Sequence, residues 1–104
     1  MKLIHATDRK YLAGKTGIRS SGLRIKYAKN KRKAIWCVPV HQVDKAIRHC
    51  LHPDRKINLL DVVLCDVDVP DDWVRNHGSD GSFYVIKDIP PEMISFRAIY
   101  TGGI

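Results

Sequence analysis

The chain has 104 residues, 44% of them hydrophobic and 28% charged, with a formal net charge of +7. That length supports one core and is short for two domains, and the composition is neither that of a disordered chain nor that of a membrane-spanning one. The longest apolar run, residues 34–40, is far below the roughly 20 residues a membrane helix needs. Asp8 and Arg9 interrupt the start before a signal-peptide core forms, so a cytoplasmic location with no membrane partner is the default expectation. Cys37, Cys50 and Cys65 are odd in number and sit in apolar settings, and are read as reduced thiols.

Charge is unevenly spread. Residues 1–56 carry 15 Lys/Arg against three acids, whereas residues 57–104 carry three against eight. This asymmetry points to an anionic partner for the first half: nucleic acid, nucleotide phosphates or an acidic protein. The competing reading is a basic surface that only keeps the protein soluble.

In chain order, residues 2–7 read as a short strand ending at a Thr7/Asp8 pair suited to capping a helix. Residues 9–18 make a poor helix because Gly14 and Gly17 interrupt them, so one or two turns are expected, then a loop through Ser20, Ser21 and Gly22. Leu23, Ile25 and Tyr27 alternate with Arg24 and Lys26 as a half-buried strand does. Residues 29–33 form a basic turn, and 34–38 a central strand ended by Pro39.

Residues 41–52 are the best helix, with Val43, Ala46, Ile47, Cys50 and Leu51 on one side and His41, Lys45, Arg48 and His52 on the other. Pro53 ends it. Residues 60–69 are a β-branched strand with Asp66 and Asp68 on one face. Residues 70–72 form a turn, 76–81 a polar loop and 82–87 a strand; Pro90-Pro91 forces a bend before a last strand at 95–100. The sum is a single α+β domain, 1–104, compact, with a mixed, mostly antiparallel β-sheet and one main helix. One helix cannot cover both faces of a parallel sheet.

Three constellations bear on chemistry. His5 lies on the first strand between Ile4 and Ala6, and alternation puts it on the face opposite Ile4. The basic helix face of Lys45 and Arg48, with Lys29, Lys31, Arg32 and Lys33 of the basic turn, suits nucleic-acid phosphates. Cys37, His41, His49, Cys50 and His52 fit no familiar zinc spacing, and the acidic run 66–72 lacks the glycine of a calcium loop, so no metal is expected.

Leu3-Ile4-His5-Ala6-Thr7, then Ser21-Gly22-Leu23, then the late segment 81–94 with Ile89-Pro90-Pro91, occur in an order that resembles the C-terminal, NAD-binding lobe of RNA 2′-phosphotransferases. More loosely, it resembles the ADP-ribosyltransferase-like fold. The resemblance implies NAD as cofactor and transferase chemistry. It casts His5 as the catalytic residue that bonds the nicotinamide ribose, and His5, Thr7, Trp36 and Arg48 as cofactor-binding residues. Ala6 replaces the family's glycine, and Ile4 stands where the family often shows arginine. Phe83 occupies the place of the catalytic glutamate of many ADP-ribosyltransferases, a residue that the 2′-phosphotransferases also lack. The N-terminal lobe that supplies that family's arginine has no counterpart in this sequence. Two functions therefore stand side by side. One is an NAD- or ADP-ribose-recognising transferase-like domain acting on nucleic acid; the other is a non-catalytic basic module that binds nucleic acid or an acidic protein. Whether the chain is an enzyme stays open at this point.

Overall fold

A computed structural model describes residues 1–28, 33–76 and 81–98, with the side chain of Asp54 outside that set. Six strands form one antiparallel sheet: β1 (Lys2–Asp8), β2 (Ile35–Pro39), β3 (Val62–Asp68), β4 (Val74–Asn76), β5 (Phe83–Val85) and β6 (Ile94–Ala98). Their order across the sheet is β4-β5-β2-β1-β3-β6. A four-residue helix α1 (Ile18–Ser21) and the main helix α2 (Val43–Cys50) complete the regular elements, with 3-10 turns between them. The Cα radius of gyration is 13.0 Å, the value of about 13 Å expected for a compact domain of this size.

β1 is the spine. It pairs along its whole length with β3, from Lys2↔Asp68 to Asp8↔Val62, but meets β2 only at Leu3↔Pro39 and Ile4↔Val38. Strand alternation divides the core in two. Leu3, Cys37, Val63, Cys65 and Val67 join Leu12, Ile18, Leu23 and Ile89 from the connections on one face. Ile4, Val38 and Leu64 meet Ala46 of α2 on the other, with Val43, Ile47 and Trp36 packed alongside. Leu3 and Ile4 are consecutive and both buried because each face of β1 is covered.

The strands expected at 2–7, 34–38, 60–69, 82–87 and 95–100 and the helix at 41–52 all appear with shifted ends; residues 99–100 lie outside the described residues. The helix begins as a 3-10 turn over Val40–Gln42 and becomes α-helical from Val43. As the Thr7/Asp8 pair implied, the Asp8 carboxylate caps the next turn, accepting from the Lys10 N–H at 3.0 Å. Two expectations fail. Ser20 and Ser21 belong to α1 rather than to a loop.

More consequentially, residues 23–27 are not a strand. Leu23 makes an isolated bridge to Ile89, and Ile25–Tyr27 is a 3-10 turn. The Asp88 carboxylate takes the Ile25 N–H at 2.8 Å, removing the donor a ladder would need. Ile25 still packs on the core, but Tyr27 is 54% exposed. In its place the sixth strand is β4, three residues of which only Val74 packs on the core.

Candidate functional site

The residues with chemistry gather where β1 and β2 part. Beyond Ile4↔Val38 the ladder between these strands stops, and the His5 ring reaches across to β2, its Nδ1 2.8 Å from the Trp36 carbonyl oxygen. A carbonyl only accepts, so Nδ1 carries the hydrogen and the neutral ring presents Nε2 as an acceptor. Burial lowers the His5 pKa and the Arg55 charge lowers it further, against the raising effect of the Trp36 carbonyl. His5 is therefore a neutral imidazole near pH 7 with a fixed tautomer.

Trp36 links this ring to α2. Its indole stacks on His49, with ring centroids 4.1 Å apart and planes 25° from parallel. Arg55, just beyond α2, donates from Nη2 to His49 Nε2 at 3.0 Å. That nitrogen must carry a lone pair, so His49 is also neutral. Loss of water, then the charge of Arg55 and the nearby imidazoles of His5 and His52, push the His49 pKa down to about 4. His49 is exposed, yet one face of its ring lies on Trp36 and Arg55 occupies the nitrogen a proton would take.

Of the residues expected to bind a cofactor, His5 and Trp36 are brought together. Thr7 is half-buried further along β1, opposite Val63. Arg48 is exposed on α2, and among the described residues no hydrogen bond or ion pair joins it to His5 or Trp36. For the nucleic-acid set, Lys45 is half-buried on α2, and Lys33 is exposed with a φ of 50° just before β2. Lys29, Lys31 and Arg32 lie outside the described residues.

Arg55 escaped the sequence reading, and His49 entered it only as a metal-ligand candidate. The signal was present for one of them: His49 follows Ala46 by three residues and precedes Cys50, both buried, so it borders the apolar side of α2. Nothing in a Pro-Asp-Arg turn marks Arg55.

The other candidate groups are structurally committed. All three cysteines are free and buried. Burial raises each thiol pKa, Cys65 to about 12, so none offers a thiolate at neutral pH. Asp66 accepts two hydrogen bonds from Arg97, at 2.7 and 3.1 Å. Among the described residues no group of three His, Cys, Asp or Glu side chains is placed to hold a metal ion. Phe83 is half-buried on β5 and packs on the core.

The two remaining motifs meet each other. Leu23 and Ile89 exchange backbone hydrogen bonds of 2.9 and 2.8 Å, placing Ser21-Gly22-Leu23 against Ile89-Pro90-Pro91. Gly22 has a φ of 76°, and a Cβ there would lie 2.0 Å from the Ile89 carbonyl oxygen. The motifs form a backbone clamp.

No protein-family model, curated protein or solved structure matches the chain. Among the described residues no helix is long and apolar enough to cross a membrane.

Proposed function

We propose that this chain is a nucleotide-recognising domain that takes NAD or ADP-ribose, in transferase-like chemistry with nucleic acid as the acceptor class. One observation carries the reading: the Nδ1–H of His5 is locked on the Trp36 carbonyl at the place where β1 and β2 separate, which aims an acceptor nitrogen and fixes its tautomer. A ribose hydroxyl is a donor that such a nitrogen would bind, and the Thr7 hydroxyl on the same strand is a second polar group for the sugar. The fit is partial. Trp36 has one ring face occupied by His49, and Arg48 stands apart, so neither takes the cofactor role the resemblance gave it without rearrangement. NAD would supply the electrophilic ribose carbon and the nicotinamide leaving group; this chain's residues would bind and orient the sugar. Titration with NAD and with ADP-ribose, followed by NMR shifts, tests the reading. His5 and Trp36 signals should move, and His5→Ala should weaken binding by about 1–2 kcal/mol, the value of one lost hydrogen bond. Wild-type protein that stays folded and shows no shifts at millimolar NAD would refute it.

A second reading, a basic module that binds nucleic acid, is favoured by a separate observation. Tyr11 and Tyr27 are 50% and 54% exposed. Each has the neighbouring lysine over its ring, Lys10 Nζ at 5.2 Å and Lys26 Nζ at 5.0 Å from the centroids. Exposed aromatics set among cations are what single-stranded bases stack on.

A further inference from the structure

Arg55 is the cation that the described structure joins to the Trp36–His49 stack. An exposed arginine ordinarily costs nothing and explains nothing, since water solvates it. Arg55 differs in what holds it. Its guanidinium is fixed by an imidazole nitrogen, Nε2 of His49 at 3.0 Å, and that imidazole is in turn fixed by stacking at 4.1 Å on Trp36. An imidazole acceptor orients a guanidinium without neutralising it, whereas a carboxylate would have done both. The charge is therefore retained, and it is felt: Arg55 opposes protonation of both His5 and His49. An oriented cation flanked by neutral imidazoles, with guanidinium N–H groups beyond the one that bonds His49, is a preorganised anion site.

The geometry points to Arg55, steered by His49 on the Trp36 ring, as the binding site for the diphosphate of a nucleotide. The choice of a nucleotide rests on the NAD or ADP-ribose reading above; the choice of a phosphate anion does not. Guanidinium presents paired N–H donors that match two oxygens of one phosphoryl group. In the tautomer fixed by Arg55, His49 carries its hydrogen on Nδ1 and adds a neutral donor. His5 bonds the Trp36 carbonyl, His49 stacks on the Trp36 ring and Arg55 bonds His49, so in this proposal one ligand places its ribose at His5 and its diphosphate at Arg55. Arg48, the cation first expected in this role, is on α2 outside the cluster.

Inorganic pyrophosphate is the probe, titrated at fixed pH and ionic strength into wild type, Arg55→Ala, Arg55→Lys and Arg48→Ala, with side-chain NMR signals of arginine and histidine as the readout. Arg55→Ala should weaken pyrophosphate binding by at least about tenfold, as loss of a charge-assisted hydrogen bond does. Arg55→Lys should recover only part of it, because an ammonium lacks the fork that binds His49 and phosphate together. Arg48→Ala should change it by less than about twofold. Because Arg55 and Arg48 are both exposed, neither change should disturb the fold, and the backbone amide spectrum checks this. Pyrophosphate affinity unchanged in Arg55→Ala, or equally damaged in Arg48→Ala, overturns the site. The two readings fail separately. Pyrophosphate binding at Arg55 with NAD and ADP-ribose no tighter than pyrophosphate leaves the anion site standing and removes the NAD reading. NAD binding that shifts His5 and Trp36 but is indifferent to Arg55→Ala does the reverse.

Discussion

At the scale of single residues, His5 and His49 are both held neutral by their surroundings. Each has a folded pKa below the ordinary 6.5, His5 chiefly through burial and His49 through burial and the Arg55 charge. Below about pH 6.5 the unfolded chain therefore binds protons that the folded chain refuses, and stability must fall as pH falls. The stability these groups contribute is present above pH 6.5 and is lost toward about 4, where His49 itself would protonate. The thermal midpoint should decline between pH 7 and 5.5, ahead of the range in which carboxylates titrate. His49→Gln should flatten that decline. A midpoint constant across this interval would mean that neither imidazole is held neutral. Arg55→Ala should in turn raise the NMR titration midpoint of His49, since it removes both a repelling charge and the donor at Nε2.

At the scale of elements, what the sequence revealed and what it hid follow from how each segment is stabilised. β1, β2, β3 and α2 are legible because burial dictates their pattern: Val62 to Cys65 are all buried, and Ala46 and Cys50 mark one side of α2. Residues 23–27 alternate as well as any strand, yet a carboxylate 63 positions away captures the Ile25 N–H and turns the chain into a 3-10 turn. No local pattern contains that contact. β4 is invisible for the opposite reason, since an exposed edge strand of three residues needs no hydrophobic period. Of the site, the sequence offered His5 and Trp36 as separate candidates; their union comes from the parting of β1 and β2, and His49 and Arg55 join through contacts of α2 and the turn after it. The clamp between Gly22 and Ile89 makes a prediction at this scale. Gly22→Ala places a methyl 2.0 Å from a carbonyl oxygen, in a backbone conformation that only glycine adopts readily. It should cost about 3 kcal/mol in urea unfolding, combining strain and displacement of the bridge. Gly14→Ala is the control: its φ is 90°, but nothing lies within 4 Å of the added Cβ, so it should cost only about 1 kcal/mol.

At the scale of the whole molecule, the excess of basic residues in 1–56 over 57–104 means that any long-range attraction to a polyanion would be a property of the surface rather than of one pocket. If nucleic acid is the partner, affinity for single strands should fall with salt, each neutralised phosphate adding about 0.7 to the log–log slope. Replacing Lys31, Arg32 and Lys33 together by Ala should weaken binding on every sequence tested and reduce that slope, because phosphate contacts carry no direct base information. Replacing Tyr11 and Tyr27 by Ala should weaken binding with little change in slope, since stacking releases no counterions. Oligonucleotide affinity that ignores salt would assign the basic half to solubility alone.

The position of β1 in the middle of the sheet has a consequence for how the chain reaches this state. Its only extensive partner is β3, some 60 positions later, and its other neighbour β2 touches it at two residue pairs. β1 must therefore wait, with Leu3 and Ile4 unburied, until residues 62–68 arrive. Such distant pairing raises contact order and slows folding relative to helical domains of equal length. During that interval β1 is a short apolar edge open to other chains, flanked by Lys2 and Asp8, whose charges discourage such pairing.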